Sequence, residues 1–272
     1  MEWWQAAILG VVQGLTEFLP ISSTAHMRIV PSLLGWSDPG TAFSAVIQLG
    51  TLASVLIYFA GDITRLTAGG LRSLWNAEAR KTPEARLAWA IAAGNIPIVV
   101  CGLTFRDFIE TSARSLFVVG TMLVVVAILL AGAERVARRS GGMMQLRFWQ
   151  VQLIGICQAV ALIPGTSRSG ATILGGLLLG LRREDAARFS FLLGIPAILG
   201  SGLLQLPPLL EGSASDGWIV LAVALAASLL SGYAAINYLL AFLRRHSTLV
   251  FCFYRLLLGG LVLGLAWYDI IR

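Results

Sequence analysis

Two apolar stretches, residues 3–36 and 148–181, are each broken near the middle by a polar patch that contains a proline: "FLPISSTAH" in the first and "LIPGTSRSGAT" in the second. This break constrains the fold more than any other feature. A helix needs about 20 apolar residues to cross the hydrocarbon core of a bilayer. Each half of a broken stretch holds about 15, which is short for a span at about 1.5 Å rise per residue. Irregular backbone at membrane depth is tolerated only where protein buries it or where it lines a wet cavity. Both stretches are therefore read as re-entrant helix–loop–helix hairpins that enter and leave on one side. Two tilted or kinked full spans are the competing reading.

The bilayer itself is inferred from composition. The chain is 57% hydrophobic and 12% charged, where a soluble domain carries roughly 25% charged residues. Six further segments, 41–60, 86–105, 115–133, 187–209, 217–242 and 249–268, are apolar and long enough to span. The start, "MEWWQAAILG", has no basic region and no small-residue cleavage site after it, so the first apolar segment is read as part of the mature protein. Cys101, Cys157 and Cys252 lie scattered in apolar stretches without metal-ligand spacing and read as small buried hydrophobes.

Charge tests the hairpin reading. If each hairpin returns to the side it left and three spans follow it, one side receives Arg65, Arg72, Arg80, Lys81, Arg86, Arg135, Arg138, Arg139, Arg147, Arg182, Arg183, Arg188, Arg244 and Arg245. The other side receives Arg106, Arg114 and Arg272. Arg28, Arg168 and Arg255 fall within apolar segments. So uneven a split marks the basic side as cytoplasm and turns both termini outward. The net charge of +6 is thereby assigned to loops facing anionic lipid, not to nucleic acid.

The broken stretches also resemble each other. "ILGVVQGLTEFLPISST" and "LIGICQAVALIPGTSRS" share Gly10 with Gly155 and Gln13 with Gln158 at one offset. They share Pro20 with Pro164 and Ser23 with Ser167 at an offset one shorter. Three spans follow each, and three is odd, so the second copy sits upside down. The expected fold is a single all-α polytopic membrane domain over 1–272, built of two inverted-topology repeats. Repeat one covers about 1–133 and repeat two about 148–272, with a cytoplasmic loop at 61–85. Inverted repeats with interrupted helices place a site at the repeat interface.

Thirteen of the fourteen acidic residues fall in termini, loops or span ends; Glu17 alone sits inside an apolar segment. A charge at that depth costs at least about 2.5 kcal/mol and marks function by default. Gln13, one helical turn earlier, shares its face. Together they offer oxygen ligands suited to Mg²⁺ or Ca²⁺ and not to Zn²⁺. The second patch supplies the opposite charge. Arg168 stands between Ser167 and Ser169, after Pro164, Gly165 and Thr166 and before Gly170 and Thr172. A glycine-flanked loop opening a helix, with an arginine fork and hydroxyls, reads as a phosphate cradle. No Walker A pattern occurs. His26, beside Ser22, Ser23 and Thr24, is a candidate nucleophile or proton handler. His246 reads as a solvated loop residue. Arg255 needs a partner, Glu17 or substrate phosphate.

"QGLTEFLPISSTAH" and "PGTSRSGAT" resemble the two signature motifs of the bacterial undecaprenyl-diphosphate phosphatase family of the bacitracin-resistance type. Those run (E/Q)-G-x-T-E-F-L-P-x-S-S-T-G-H and P-G-x-S-R-S-x-x-T, and the likeness extends over the whole chain in length and span order. It implies hydrolysis of C55 undecaprenyl diphosphate to undecaprenyl phosphate and inorganic phosphate, with Mg²⁺ or Ca²⁺. This would recycle the lipid carrier of cell-wall synthesis on the outer side of the inner membrane. Carried over by position, Glu17 and Gln13 serve metal or catalysis. Ser23 or His26 attacks or moves protons, and Arg168 with Ser167, Ser169 and Thr172 holds diphosphate. Ser22, Thr24, Gly165 and Thr166 complete the substrate loops. Gln13 is the neutral option where many members carry Glu, and Ala25 stands where Gly is usual, which disfavours a left-handed turn there. Direct attack by water is a third route. The rival function is transport: an inverted-repeat carrier or flippase for a phosphorylated lipid or anion. A homodimer is left open.

Overall fold

Neither broken stretch stays helical through its patch, and the reason is local. Pro20 disfavours helical backbone at the residue before it, and Leu19 is extended (φ −63°, ψ 136°). Helix α1 (Trp3–Phe18) ends there and α2 (Ser23–Leu34) begins after the gap. The second stretch gives α9 (Phe148–Val160) and α10 (Arg168–Leu178). Both pairs fold back on themselves. The rings of Trp4 and Trp36 meet at 5.3 Å, closing the first pair. A Cβ added at Gly175 would stand 3.1 Å from Cys157 Sγ in the second. These are helix–turn–helix hairpins, not kinked single helices.

The computed structural model describes residues 1–111, 113, 115–211 and 217–268. Between the hairpins run α3 (Gly40–Tyr58), α4 (Ala60–Trp75), α5 (Pro83–Gly94), α6 (Ile96–Thr104), α7 (Arg106–Glu110) and α8 (Leu116–Val136). After the second hairpin come α11 (Arg183–Glu211), α12 (Gly217–Leu243) and α13 (Leu249–Trp267). Six stretches are long and apolar enough to cross a membrane: Gly40–Tyr58, Pro83–Thr104, Leu116–Val136, Arg183–Pro207, Gly217–Leu243 and Leu249–Trp267. They match the six segments read from the sequence within a few residues. The spans turn apolar side chains outward, such as Ile128, Leu203 and Leu230, as lipid requires. The protein is a multi-pass, all-helical membrane protein, with no strand among the described residues.

Two expectations change. The segment 61–85 is largely helical: α4 fills 60–75, and a 3₁₀ turn covers Ala79–Lys81. Apolar Leu66 is buried while Arg65 and Arg72 stay exposed, so the polar residues that suggested a loop are one face of an amphipathic helix. The segment 86–105 is not one helix. Asn95 separates α5 from α6, where Pro97 sits in the first turn of the new helix and supplies no N–H to continue the old one.

Packing repeats across the two halves. Helix α1 lies along α12, and α9 lies along α5 and α6; α3 pairs with α11, and α8 with α13. The matched glycines sit at matched crossings. A Cβ on Gly10 would stand 2.5 Å from the Ala224 carbonyl oxygen of α12, and one on Gly155 would stand 2.1 Å from the Gly94 carbonyl oxygen of α5. The span ends at one face are tied by charge. Glu134 of α8, buried, accepts from Arg139 (2.7 Å), from Arg183 of α11 and from the Thr248 hydroxyl (2.7 Å). Asp62, also buried, holds Arg65 and Arg188 of α11 (2.6 Å). Polar position at a span end gave no sign that these two carboxylates would be buried.

Because the Gly155 crossing is backbone against backbone, Gly155→Ala is expected to lower stability by about 1–3 kcal/mol. Thermal unfolding in detergent reads this out. Gly61→Ala, at a helical position with open space around it, should leave the transition unchanged or slightly raised.

Candidate active site

The two hairpins bring their breaks together inside the protein. The residue that joins them is Arg255 of α13, which is fully buried. Its guanidinium donates to the carbonyls of Pro20 (3.2 Å) in the first break and of Gly165 (2.9 Å) and Thr166 (3.0 Å) in the second. It also donates to the carbonyls of Leu123 and Met122 in α8, both at 3.2 Å. Helix ends leave carbonyls without partners, and no water reaches them in hydrocarbon. Arg255 supplies the missing donors. Its partner is thus neither Glu17 nor a position for substrate phosphate, the two alternatives the sequence left. Ser169 adds a second tie, donating to the Leu19 carbonyl at 3.1 Å.

The restarting helices are built alike. Ser22 caps α2 and Ser167 caps α10, both at positive φ (76° and 70°). Each hydroxyl accepts from the N–H three residues on, Ala25 at 3.4 Å and Gly170 at 3.1 Å. The structural counterpart of Ser167 is therefore Ser22 and not Ser23, at the same offset as the Gly and Gln pairs. Ser23 and Arg168 then correspond: each is the first residue of its helix. The left-handed position is Ser22, while Ala25 is ordinary helix, so alanine in place of glycine carries no turn penalty there.

Glu17 stands at the end of α1 facing both helix N-termini, where the helix dipoles favour an anion. One carboxylate oxygen pairs with Arg168 across the two hairpins. The other accepts from the Ser23 hydroxyl (2.7 Å) and from the Gln13 amide (2.7 Å). Glu17 and Gln13 are buried, and Arg168 and Ser23 are partly open. Arg168 also reaches the Gly194 carbonyl of α11 at 3.4 Å. The aromatic rings of Phe18 and Phe191, 5.0 Å apart, pack α1 against α11 beside the carboxylate. Gln13, Glu17, Ser23 and Arg168 thus form one connected polar centre, near Gly232 in the middle of α12, where an added Cβ would stand 3.1 Å from the Phe18 ring.

The other sequence candidates divide. His26 is buried on α2, but its ring does not bond Ser23 or Glu17. Nδ1 meets the Ser22 carbonyl oxygen (2.7 Å), and Nε2 meets the Tyr254 hydroxyl (2.6 Å). Thr24 is exposed at the rim of the centre. Thr172 turns away, bonding the Arg168 carbonyl (2.7 Å) and Ser190 (2.5 Å). Ser167 caps and touches Ser169 (3.2 Å). Gly165, at φ 91°, lies where a Cβ would come 2.4 Å from the Val119 carbonyl oxygen. Thr166 is buried, with no partner for its hydroxyl. Tyr254 and Ser190 were missed. A tyrosine beside a buried arginine in an apolar span was the available signal for Tyr254, since a buried phenol seeks a partner. The cysteines are free, with Cys252 buried and Cys101 and Cys157 half-buried.

No group of three or more His, Cys, Asp or Glu able to hold a metal occurs among the described residues. The donors at the centre are oxygens only, from one carboxylate, one amide and hydroxyls. That set suits a hard cation that takes most of its ligands from phosphate and water, and it excludes a self-sufficient protein cage.

Fold and site together define a membrane protein with an acid–arginine–serine centre between two helix hairpins. The chain belongs to the family described as bacitracin resistance protein BacA, whose model matches residues 6–261. It is 52% identical over 265 residues to an undecaprenyl-diphosphatase of Myxococcus xanthus, covering 97% of this chain and 89% of that one. It is 48% identical to one of Prosthecochloris aestuarii and 50% identical to one of Chlorobium phaeobacteroides, with 97% of each chain covered in both cases.

If Arg255 serves the backbone, Arg255→Lys, with fewer donors and no planar fork, should destabilise the fold by at least about 2 kcal/mol. The thermal transition in detergent should drop sharply. A transition at the wild-type temperature would remove Arg255 from this role.

Proposed function

We propose that this protein is an undecaprenyl-diphosphatase. It hydrolyses undecaprenyl diphosphate to undecaprenyl phosphate and inorganic phosphate, recycling the lipid carrier of cell-wall synthesis and so conferring bacitracin resistance. The observation that carries the reading to particular residues is the contact of Glu17 with both Arg168 and the Ser23 hydroxyl.

The diphosphate head group enters at the partly open side of Arg168 and Ser23. Arg168 exchanges its carboxylate for phosphate oxygens, which it grips as a planar fork. Backbone N–H groups at the starts of α2 and α10 add to the anion's stabilisation. The exchange frees one oxygen of Glu17 from its cation, leaving it able to accept a proton. Ser23 Oγ attacks the terminal phosphorus, its proton passes to Glu17, and the bond to the bridging oxygen breaks. Undecaprenyl phosphate departs and its C55 tail stays in lipid. Water then hydrolyses the phosphoserine and releases inorganic phosphate. His26, held by Tyr254 and the Ser22 carbonyl, orients the first turn of α2 and is the second candidate nucleophile. Mg²⁺ or Ca²⁺ would be held by Glu17 and the Gln13 carbonyl, and would neutralise phosphate charge when bound.

The two halves are proposed to be inverted repeats, each a re-entrant hairpin and three spans, with repeat two beginning near 148. The mirrored helix pairings, the matched Gly10 and Gly155 crossings and the paired Ser22 and Ser167 caps support this. The basic connectors support a position of α4 and the Glu134 network on the cytoplasmic side of the inner membrane, by the positive-inside rule. The hairpin of α1 and α2 then opens outward.

The test is phosphate release from undecaprenyl diphosphate by purified protein in detergent with Mg²⁺ or Ca²⁺. Wild type should turn over, and Arg168→Ala should lose about 10²–10³-fold or more in kcat while keeping a cooperative thermal transition. Full activity of Arg168→Ala overturns the site. A wild type that releases no phosphate yet moves lipid across vesicles makes the protein a carrier.

A further inference from the structure

A cavity of about 840 Å³ lies apart from the Glu17 centre, with which it shares no lining residue. It lies at the start of the span Pro83–Thr104, where α4, the Ala79–Lys81 turn and the first turn of α5 face the segment Met144–Phe148 that leads into α9. Its charged lining is Arg80, Arg86 and Arg147, with no carboxylate. Arg80 is fixed, donating to the carbonyls of Ser73 (2.8 Å) and Leu74 (3.2 Å). The side chains of Arg86 and Arg147 make no ion pair or hydrogen bond among the described residues. Several other arginines on this face are paired, Arg183 and Arg139 with Glu134, Arg188 with Asp62, Arg182 with Asp185 and Arg244 with Glu184. Arg72, Arg135, Arg138 and Arg245 make no ion pair among the described residues, but they line neither this cavity nor the one beside Asp62. Three arginines lining one acid-free cavity leave an anion as the complementary ligand.

The rest of the lining says what carries that anion. Trp89, Leu74 and Phe148 form an apolar wall, and Trp89 is held by a bond from its indole N–H to Ser73 (2.9 Å). Past the break at Asn95 the same span continues with an apolar stripe on α6, Ile96, Val100 and Leu103, all more than half exposed. That stripe faces lipid. Free phosphate would need no such stripe; a phosphate bearing an acyl tail matches both parts.

We propose that this cavity binds the head group of an anionic phospholipid, its phosphate between Arg80, Arg86 and Arg147 and its acyl chains along Trp89, Ile96 and Val100. The bound lipid fastens the amphipathic helix α4 and the entrance to α9 to the membrane boundary. The site is separate from the catalytic centre and stands or falls independently of the phosphatase reading.

The experiment compares wild type, Arg86→Gln/Arg147→Gln and a control, Arg135→Gln/Arg138→Gln, which removes two exposed charges elsewhere on the basic face. Each full-length protein is delipidated in detergent and titrated with phosphatidylglycerol or phosphatidylcholine, and bound lipid is read by native mass spectrometry. Phosphatidylglycerol should bind wild type and the control alike and bind Arg86→Gln/Arg147→Gln about tenfold more weakly. Phosphatase activity in detergent should be equal in all three, which also certifies folding. Equal phosphatidylglycerol binding by the three proteins overturns the proposal. So does equal loss in both double variants, which would be a general charge effect. Equal affinity for phosphatidylcholine also overturns it, and so does displacement by millimolar inorganic phosphate, which would make the site one for a free anion.

Discussion

A buried arginine that touches no acid among the described residues ties the two helix breaks to each other. Arg255 spends its donors on backbone carbonyls from both helix breaks and from α8. In water such carbonyls would be hydrated at little cost; in hydrocarbon each would cost free energy comparable to a lost hydrogen bond or more. Every other polar feature at this depth depends on that settlement. Because the breaks are fixed to one another, α2 and α10 begin at a common point, and their first residues, Ser23 and Arg168, face the same carboxylate. The polar centre is a consequence of where two helices were made to stop.

The second consequence is electrostatic. Glu17 at membrane depth is tolerated because it receives a cation, a hydroxyl, an amide and two helix dipoles. A pair so arranged is costly to break by removing one partner, but a diphosphate does not remove Arg168; it replaces one anion with another. In the proposed reaction, binding energy from the head group is converted into a freed oxygen on the carboxylate whose other oxygen accepts from Ser23.

Much of this was legible in the sequence. Hydropathy located the six spans, and the polar patches located both breaks, because Pro20 and Pro164 act locally through backbone geometry. Glu17, Gln13 and Arg168 stood out because charge in an apolar segment is expensive wherever the fold puts it. Tertiary facts were not legible. Whether Arg255 would meet an acid, a phosphate or backbone depends on which chain segments arrive beside it. Whether Ser23 or His26 faces the carboxylate depends on the rotation of α2, which the cap at Ser22 sets. The misalignment of Ser23 with Ser167 had the same origin: identity matched them, but the positive-φ cap is the position that corresponds. Glu134 and Asp62 looked like solvated span-end acids, and only the folded span ends bury them.

The claim on which the account turns is that Ser23, freed and activated when Arg168 moves from Glu17 to phosphate, forms the covalent bond to phosphorus. Rapid quenching in SDS at mildly alkaline pH, which preserves both phosphoserine and acid-labile phosphohistidine, with undecaprenyl diphosphate labelled in its terminal phosphate, tests it directly. Wild type and His26→Ala should yield a labelled protein whose label maps to the peptide containing Ser23, and Ser23→Ala should yield none. A label that persists in Ser23→Ala and vanishes in His26→Ala would contradict the account.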